Sequence, residues 1–228
     1  MKKVVFGLLM LLVVSLFSDA VMAQKKPRAR DLFIQKADNE SQGKSGVKVR
    51  ILLKRGNQRE RFVTSDETFY SGDKIKLAFD INFSGYIALL NVGSTGKVSM
   101  LYPYAGTDAA VEPSEDEQLI PSNKNDWITF DDRPGIEKIT IVFSTNPLDS
   151  VDQVMQMSGN TSISGNITIN TSNPKAQELL LEMASRGLSR AKSRDLTIET
   201  VNKEATYVVA EPGLISEPTA FVISLKHQ

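Results

Sequence analysis

FYSGDKIKLAFDINFSGYIALLNVGSTGKVSMLYP, running from Phe69 to Pro103, is the stretch that decides the fold. Ile75, Leu77, Phe79, Ile81 and Phe83 alternate with Lys74, Lys76, Ala78, Asp80 and Asn82. A period of two gives a strand one apolar and one polar face. Ser84-Gly85 breaks the pattern, and Tyr86 to Val92 follows as an almost continuously apolar run, which marks a strand buried on both faces. Gly93-Ser94-Thr95-Gly96 turns the chain into Lys97–Tyr102, and Pro103 ends that strand. The whole reads as a three-stranded antiparallel meander.

On the N-terminal side, Val47, Val49, Ile51 and Leu53 form another alternating strand. Gly56-Asn57 turns it into a shorter partner at Arg59–Val63, so a hairpin is expected. Its outer face carries Lys48, Arg50, Lys54, Arg59 and Arg61, a basic stripe that could bind a polyanion but is read as protection of a sheet edge against aggregation. On the C-terminal side, Tyr104–Asn125 reads as a long loop made acidic by Glu112, Glu115, Asp116 and Glu117. It lacks the ligand spacing of a calcium loop. Trp127–Phe130 and Glu137–Phe143 are strands around an Asp131–Gly135 turn. Asp149–Met157 fits a helix with Val151, Val154 and Met155 inward. A polar insertion at about 158–173 is expected to be mobile. Pro174 opens a second helix with Leu179, Leu180, Met183 and Leu188 on its apolar stripe. Leu196–Val201, Thr206–Val209 and Ala220–Leu225 close the chain as strands. These elements predict a mainly β fold: an antiparallel, immunoglobulin-like β-sandwich spanning 47–228 as a single domain, with one or two short helices inserted.

Residues 1–23 read as a Sec signal peptide. Lys2-Lys3 precede an apolar run from Val4 to Val14, and Val21-Met22-Ala23 offers small residues to a signal peptidase. The apolar run is too short to span a bilayer comfortably. Residues 24–46 form a polar leader, expected to be flexible, in which only Leu32-Phe33-Ile34 could dock. Cleavage near Ala23 leaves a protein of the periplasm or the cell exterior, and without cysteine it is not a lipoprotein.

The chain has 27 basic and 27 acidic residues, so no global charge points to nucleic acid or an anionic membrane. It has no cysteine, which removes disulfides, thiolate metal sites and cysteine nucleophiles. The single histidine, His227, is one residue from the end and is expected to be frayed and solvated. Asp131-Asp132 suits a turn that caps its own backbone. No catalytic, cofactor-binding or metal-ligating residue is expected, and the chain is not read as an enzyme. The candidate binding residues are aromatic: Tyr102, Tyr104 and the lone tryptophan, Trp127.

Several of these residues carry a resemblance. Tyr70-Ser71-Gly72-Asp73-Lys74-Ile75, Gly85 to Val92, Gly96-Lys97-Val98, Leu101-Tyr102-Pro103 and Pro134-Gly135-Ile136-Glu137, with Ser144 and Pro147 ending the next strand, resemble domain-of-unknown-function family 4384 over about residues 69–148. The resemblance implies a β domain of bacterial envelope or secreted proteins, often found beside caspase-like peptidase or kinase domains. It carries no established activity and so no functional residues. In this chain the matched stretch is expected to stand alone behind its signal peptide. The expected function is an exported, non-catalytic protein-interaction or adaptor module of the bacterial cell envelope, its partner another envelope protein docking on the long loops or an exposed edge strand. The alternative is a glycan or cell-wall binding module that uses Trp127, Tyr102, Tyr104 and the basic hairpin. Stable membrane insertion and nucleic-acid partners are not expected.

Overall fold

The computed structural model describes residues 28–38, 44–104, 107–158, 172–190, 196–203, 205–210 and 214–228. The expected signal peptide and most of the polar insertion (159–171) lie outside the described residues. In chain order the elements are α1 (Ala29–Asp38), β1 (Ser45–Lys54), β2 (Arg61–Val63), β3 (Thr68–Phe69), β4 (Lys74–Ile81), β5 (Gly85–Val92), β6 (Val98–Tyr102) and β7 (Ala110–Val111). They continue with β8 (Gln118–Ile120), β9 (Ile128–Thr129), β10 (Gly135–Ser144), α2 (Asp149–Ser158), α3 (Pro174–Arg190), β11 (Leu196–Val201), β12 (Ala205–Ala210) and β13 (Thr219–His227).

Alternation in β1 and β4 builds the first sheet. The two strands pair antiparallel from Val47 opposite Ile81 to Lys54 opposite Lys74. That register puts Val47, Val49, Ile51 and Leu53 beside Ile75, Leu77, Phe79 and Ile81 on one buried face. Among the described residues this sheet has the order β11-β12-β1-β4-β8, with β2 added to β1 and β9 to β4. The second sheet runs β3-β13-β10-β5-β6, with β7 added to β5. Its pairs are antiparallel except for β3 on β13. The apolar faces close on each other, with Phe69, Phe143 and Phe221 fully buried between them. Each such side chain contributes on the order of 2–3 kcal/mol of transfer free energy. This is the expected β-sandwich with inserted helices.

The expected meander is corrected. β4 and β5 are consecutive but do not pair; Asn82-Phe83-Ser84 carries the chain from the first sheet to the second. The crossing needs a glycine at its end, because a Cβ on Gly85 would lie 2.3 Å from the carbonyl oxygen of Ser144. β5 is buried on both faces, as its apolar run requires, but the cover differs on each side. Ile87 and Leu89 face the first sheet, whereas Ala88 and Leu90 meet Val151 and Val154 of α2 and Leu180 and Ala184 of α3. Asn173 caps α3: its Oδ1 accepts from the backbone N–H of Lys175 at 3.0 Å and of Ala176 at 3.4 Å.

Three further expectations change. The leader is not flexible throughout, because α1 occupies Ala29–Asp38 and docks on the far face of the first sheet. Leu32 and Phe33 pack there, with the Phe33 and Tyr207 rings 5.6 Å apart. The loop after Pro103 contains β7 and β8 and bridges the two sheets, adding one strand to each. Finally, His227 is not frayed. It ends β13, paired with Gly135 on one side and Phe69 on the other, and is 3% exposed.

Candidate functional site

The basic stripe and the acidic loop, separate features of the sequence, are partners in the structure. β1 lies inside its sheet, so its lysines do not guard an edge. Glu117, just before β8, sits 2.8 Å from Lys48 Nζ and accepts hydrogen bonds from Arg50. Lys48 also lies 3.6 Å from Asp80, directly across the ladder. Burial pushes the Glu117 carboxyl up, but the hydrogen bonds and charges of Arg50 and Lys48 outweigh it and hold the group below the usual carboxylate range. Asp80 shows the opposite balance: burial raises it, Glu117 adds to the rise, and Lys48 only partly offsets both. Little of the stripe is left for a polyanion, since Lys54 and Arg61 also face Glu60 and Glu67.

Of the three aromatic candidates, Tyr104 contacts the segment Pro121-Ser122-Asn123 directly, Tyr102 packs against Tyr104, and Trp127 is linked to the segment through Lys76. Tyr102, at the end of β6, stands edge-on to Tyr104, with ring centroids 6.1 Å apart. Its hydroxyl donates to the Asp108 carbonyl at 2.5 Å. Burial raises its phenol above the ordinary tyrosine value, helped by Tyr104 and Asp108. The Tyr104 hydroxyl shares a hydrogen bond with Ser122 Oγ at 2.7 Å. From the other side, Lys76 donates its ammonium to the carbonyls of Asn123 at 2.6 Å and Pro121 at 3.2 Å. The same ammonium lies 5.0 Å from the Trp127 ring centroid, and Lys54 Nζ lies 5.3 Å from it. Burial lowers the Lys76 ammonium below the ordinary lysine value. Trp127 is only 8% exposed, so the arrangement clamps the segment before β9 more than it presents an open stacking platform. Sequence reasoning picked these rings by type; it missed Lys76, which looks like an ordinary outward residue of an alternating strand.

An exposed element of another kind lies at the far side of the first sheet. β11 pairs with β12 from Leu196 opposite Ala210 to Val201 opposite Ala205. Among the described residues no strand pairs with its outer side. Register places Leu196 and Ile198 on the same face as Val208 and Ala210, which line the sandwich interior. Yet Ile198 is 49% exposed on the edge strand of its sheet. Among the described residues, such an edge combines an outer side with no paired strand and an exposed apolar side chain.

The turn and strand elements that frame the crossing between sheets, from β3 through β10, form one continuous segment. Residues 68–147 match the model of a domain of unknown function, DUF4384. No curated protein and no solved structure matches the chain. The DUF4384 segment holds Tyr102, Tyr104, Lys76 and Trp127, Glu117 and the close approach at Gly85; the ion-pair partners Lys48 and Arg50 and the strand β11 lie outside it. No helix among the described residues is long and apolar enough to cross a membrane.

Proposed function

We propose that this protein is an exported, non-catalytic interaction module of the bacterial cell envelope that binds an extended segment of another envelope protein. The observation that carries this reading is the open edge of β11, with Ile198 half-exposed on the face continuous with the sandwich core. An added strand would gain main-chain hydrogen bonds along Leu196–Val201 and cover Ile198 with its own apolar residue, the mode of recognition called β-augmentation. Neither lysine nor proline on β11 blocks such pairing. Export is supported by the basic and apolar pattern of residues 1–23. The glycan-binding alternative draws on Tyr102 and Tyr104, both half-buried, and has less support at Trp127, whose ring is packed beside two lysine ammoniums.

The test places a photo-crosslinker at Thr200, exposed on the same face of β11 as Ile198, in the chain's own host and maps the adduct. The expected result is one envelope protein at near-equal amount, crosslinked through an extended segment, and lost in Ile198→Lys while the fold persists by circular dichroism. An adduct that survives Ile198→Lys, or attachment to wall fragments in place of protein, overturns the reading.

A further inference from the structure

A cavity of about 170 Å³ opens between the two sheets at the end of the sandwich remote from the β4–β5 crossing, where β9, β10 and the end of β13 converge. Its floor is apolar and buried: Ile75, Leu101, Ile139 and Leu225. Thr129 and Asp131, both exposed, mark its mouth, and the half-buried Glu137 stands beside them. The His227 imidazole forms part of the wall.

Two observations argue that this space is more than imperfect packing. First, His227 is 3% exposed, and its Nδ1 has no hydrogen-bond partner among the described residues, while Nε2 lies 3.4 Å from Ser71 Oγ. A buried imidazole nitrogen normally finds a partner, and one left without it is costly. Second, the two acidic side chains that line the cavity, Asp131 and Glu137, stand with the neutral polar groups of Asn91 and Thr129, and among the described residues no lysine or arginine lines the space. Glu137 is held in place by the Asn91 side-chain amide at 3.2 Å and the Ser94 backbone N–H at 3.1 Å. Both contacts leave its oxygens with further accepting capacity. Cavities of this size accommodate a six-membered ring when lined by apolar side chains.

We infer that this cavity is a binding site for a small organic amine: a compact apolar body on the floor, an ammonium at the mouth beside Asp131 and Glu137, and His227 facing the ligand from the wall. The apolar floor selects for shape and the two carboxylates on the lining for positive charge. The site uses no residue of β11, so it stands or falls separately from the proposed strand docking.

The probe is benzylamine, compared with benzyl alcohol and benzoate, titrated into the full mature chain and followed by NMR. Benzylamine is expected to shift the backbone amides of Phe130 and Glu137 and the imidazole nitrogens of His227, with saturation. Benzyl alcohol binds more weakly, and benzoate leaves these signals unchanged. Glu137→Gln and Asp131→Asn each weaken benzylamine by about threefold to tenfold and leave benzyl alcohol unaltered. Asp131 is exposed, so Asp131→Asn keeps the test decisive even if Glu137→Gln loosens the turn at Ser94. The inference is overturned if benzoate matches benzylamine, if none of the three probes moves these signals, or if a benzylamine-soaked crystal holds only ordered water in the cavity.

Discussion

At the scale of single residues, the Arg55–Asp73 pair is a part-buried, multiply bonded polar constraint. Asp73 is 3% exposed and receives Arg55 through both Nε, at 3.0 Å, and Nη2, at 2.7 Å. It also accepts the Tyr70 backbone N–H at 2.9 Å, while Arg55 donates to the Thr68 carbonyl at 2.8 Å. One carboxylate therefore fixes the turn that leads from β3 into β4, and Gly72 makes that turn at φ 84°. Burial pushes Asp73 up, but the Arg55 hydrogen bonds and the Tyr70 amide outweigh it and leave the group below the usual carboxylate range. The unfolded chain then takes up this proton first as pH falls. The stabilisation is complete above the ordinary carboxylate pKa of about 4 and is lost as pH drops through the lower folded value. Asp73→Asn is expected to cost about 2–3 kcal/mol at pH 7, less than a fully buried pair because Arg55 keeps some access to water. Urea unfolding of wild type and variant at pH 7 and at pH 3 checks it, and a gap that stays constant with pH would contradict the electrostatic account.

At the scale of elements, α1 shows where reading periodicity stops. Its ten residues alternate charges with a short apolar run, and a helix of that length has marginal stability by itself. What holds it is tertiary: Leu32 and Phe33 against Tyr207 and Val209, and the Asn82 side-chain amide, which donates to the Phe33 carbonyl at 3.0 Å and the Lys44 carbonyl at 3.1 Å. Those partners are remote in sequence, so only the docking residues were legible, not the helix. The crossing from β4 to β5 was hidden for a related reason. Alternation reveals that a strand has an apolar face but not which sheet completes it, and Gly85 reads as a turn glycine until Ser144 is seen against it. His227 was misread because position near a terminus says nothing of pairing on both sides. The helices over β5, by contrast, announced themselves through Asn173-Pro174 and an apolar stripe of the right period. Since α1 touches the sandwich through few side chains, Phe33→Ala is expected to release it locally. Amide exchange of Ala29–Asp38 should lose its protection, while β4 and β10 keep theirs. Global stability should fall by no more than about 2 kcal/mol, because α1 can open without the core. Loss of protection in β10 as well would mean that α1 is part of the cooperative unit.

At the scale of the whole molecule, the match and the fold have different boundaries. The DUF4384 segment begins at β3 and ends just after β10, yet the first sheet takes β1, β2, β11 and β12 from outside it and the second takes β13. β4 needs β1, which supplies Val47, Val49, Ile51 and Leu53 to the interior, and β10 needs β13, which supplies Phe221, Ile223 and Leu225. The outward face of β5 needs α2 and α3 over Ala88 and Leu90. Cut at residues 68 and 147, the segment keeps Tyr102, Tyr104, Lys76 and Trp127, but Glu117 loses Lys48 and Arg50 and Asp73 loses Arg55. It loses the strands beside β4 and β10, exposing apolar faces and unpaired edges of the kind that aggregate. Residues 68–147 expressed alone are therefore expected to be unfolded or insoluble, without the dispersed amide spectrum of a packed core. Residues 28–228 should give a cooperative unfolding transition. Adding purified peptides for β1–β2 (44–67) and β13 (214–228) to the short segment should recover part of its dispersion, since the missing pieces are whole strands with defined registers. A dispersed, cooperatively unfolding 68–147 would instead show that β4 and β10 can close on each other without their outer neighbours, and the flanking strands would then be additions to a core that the DUF4384 segment forms by itself.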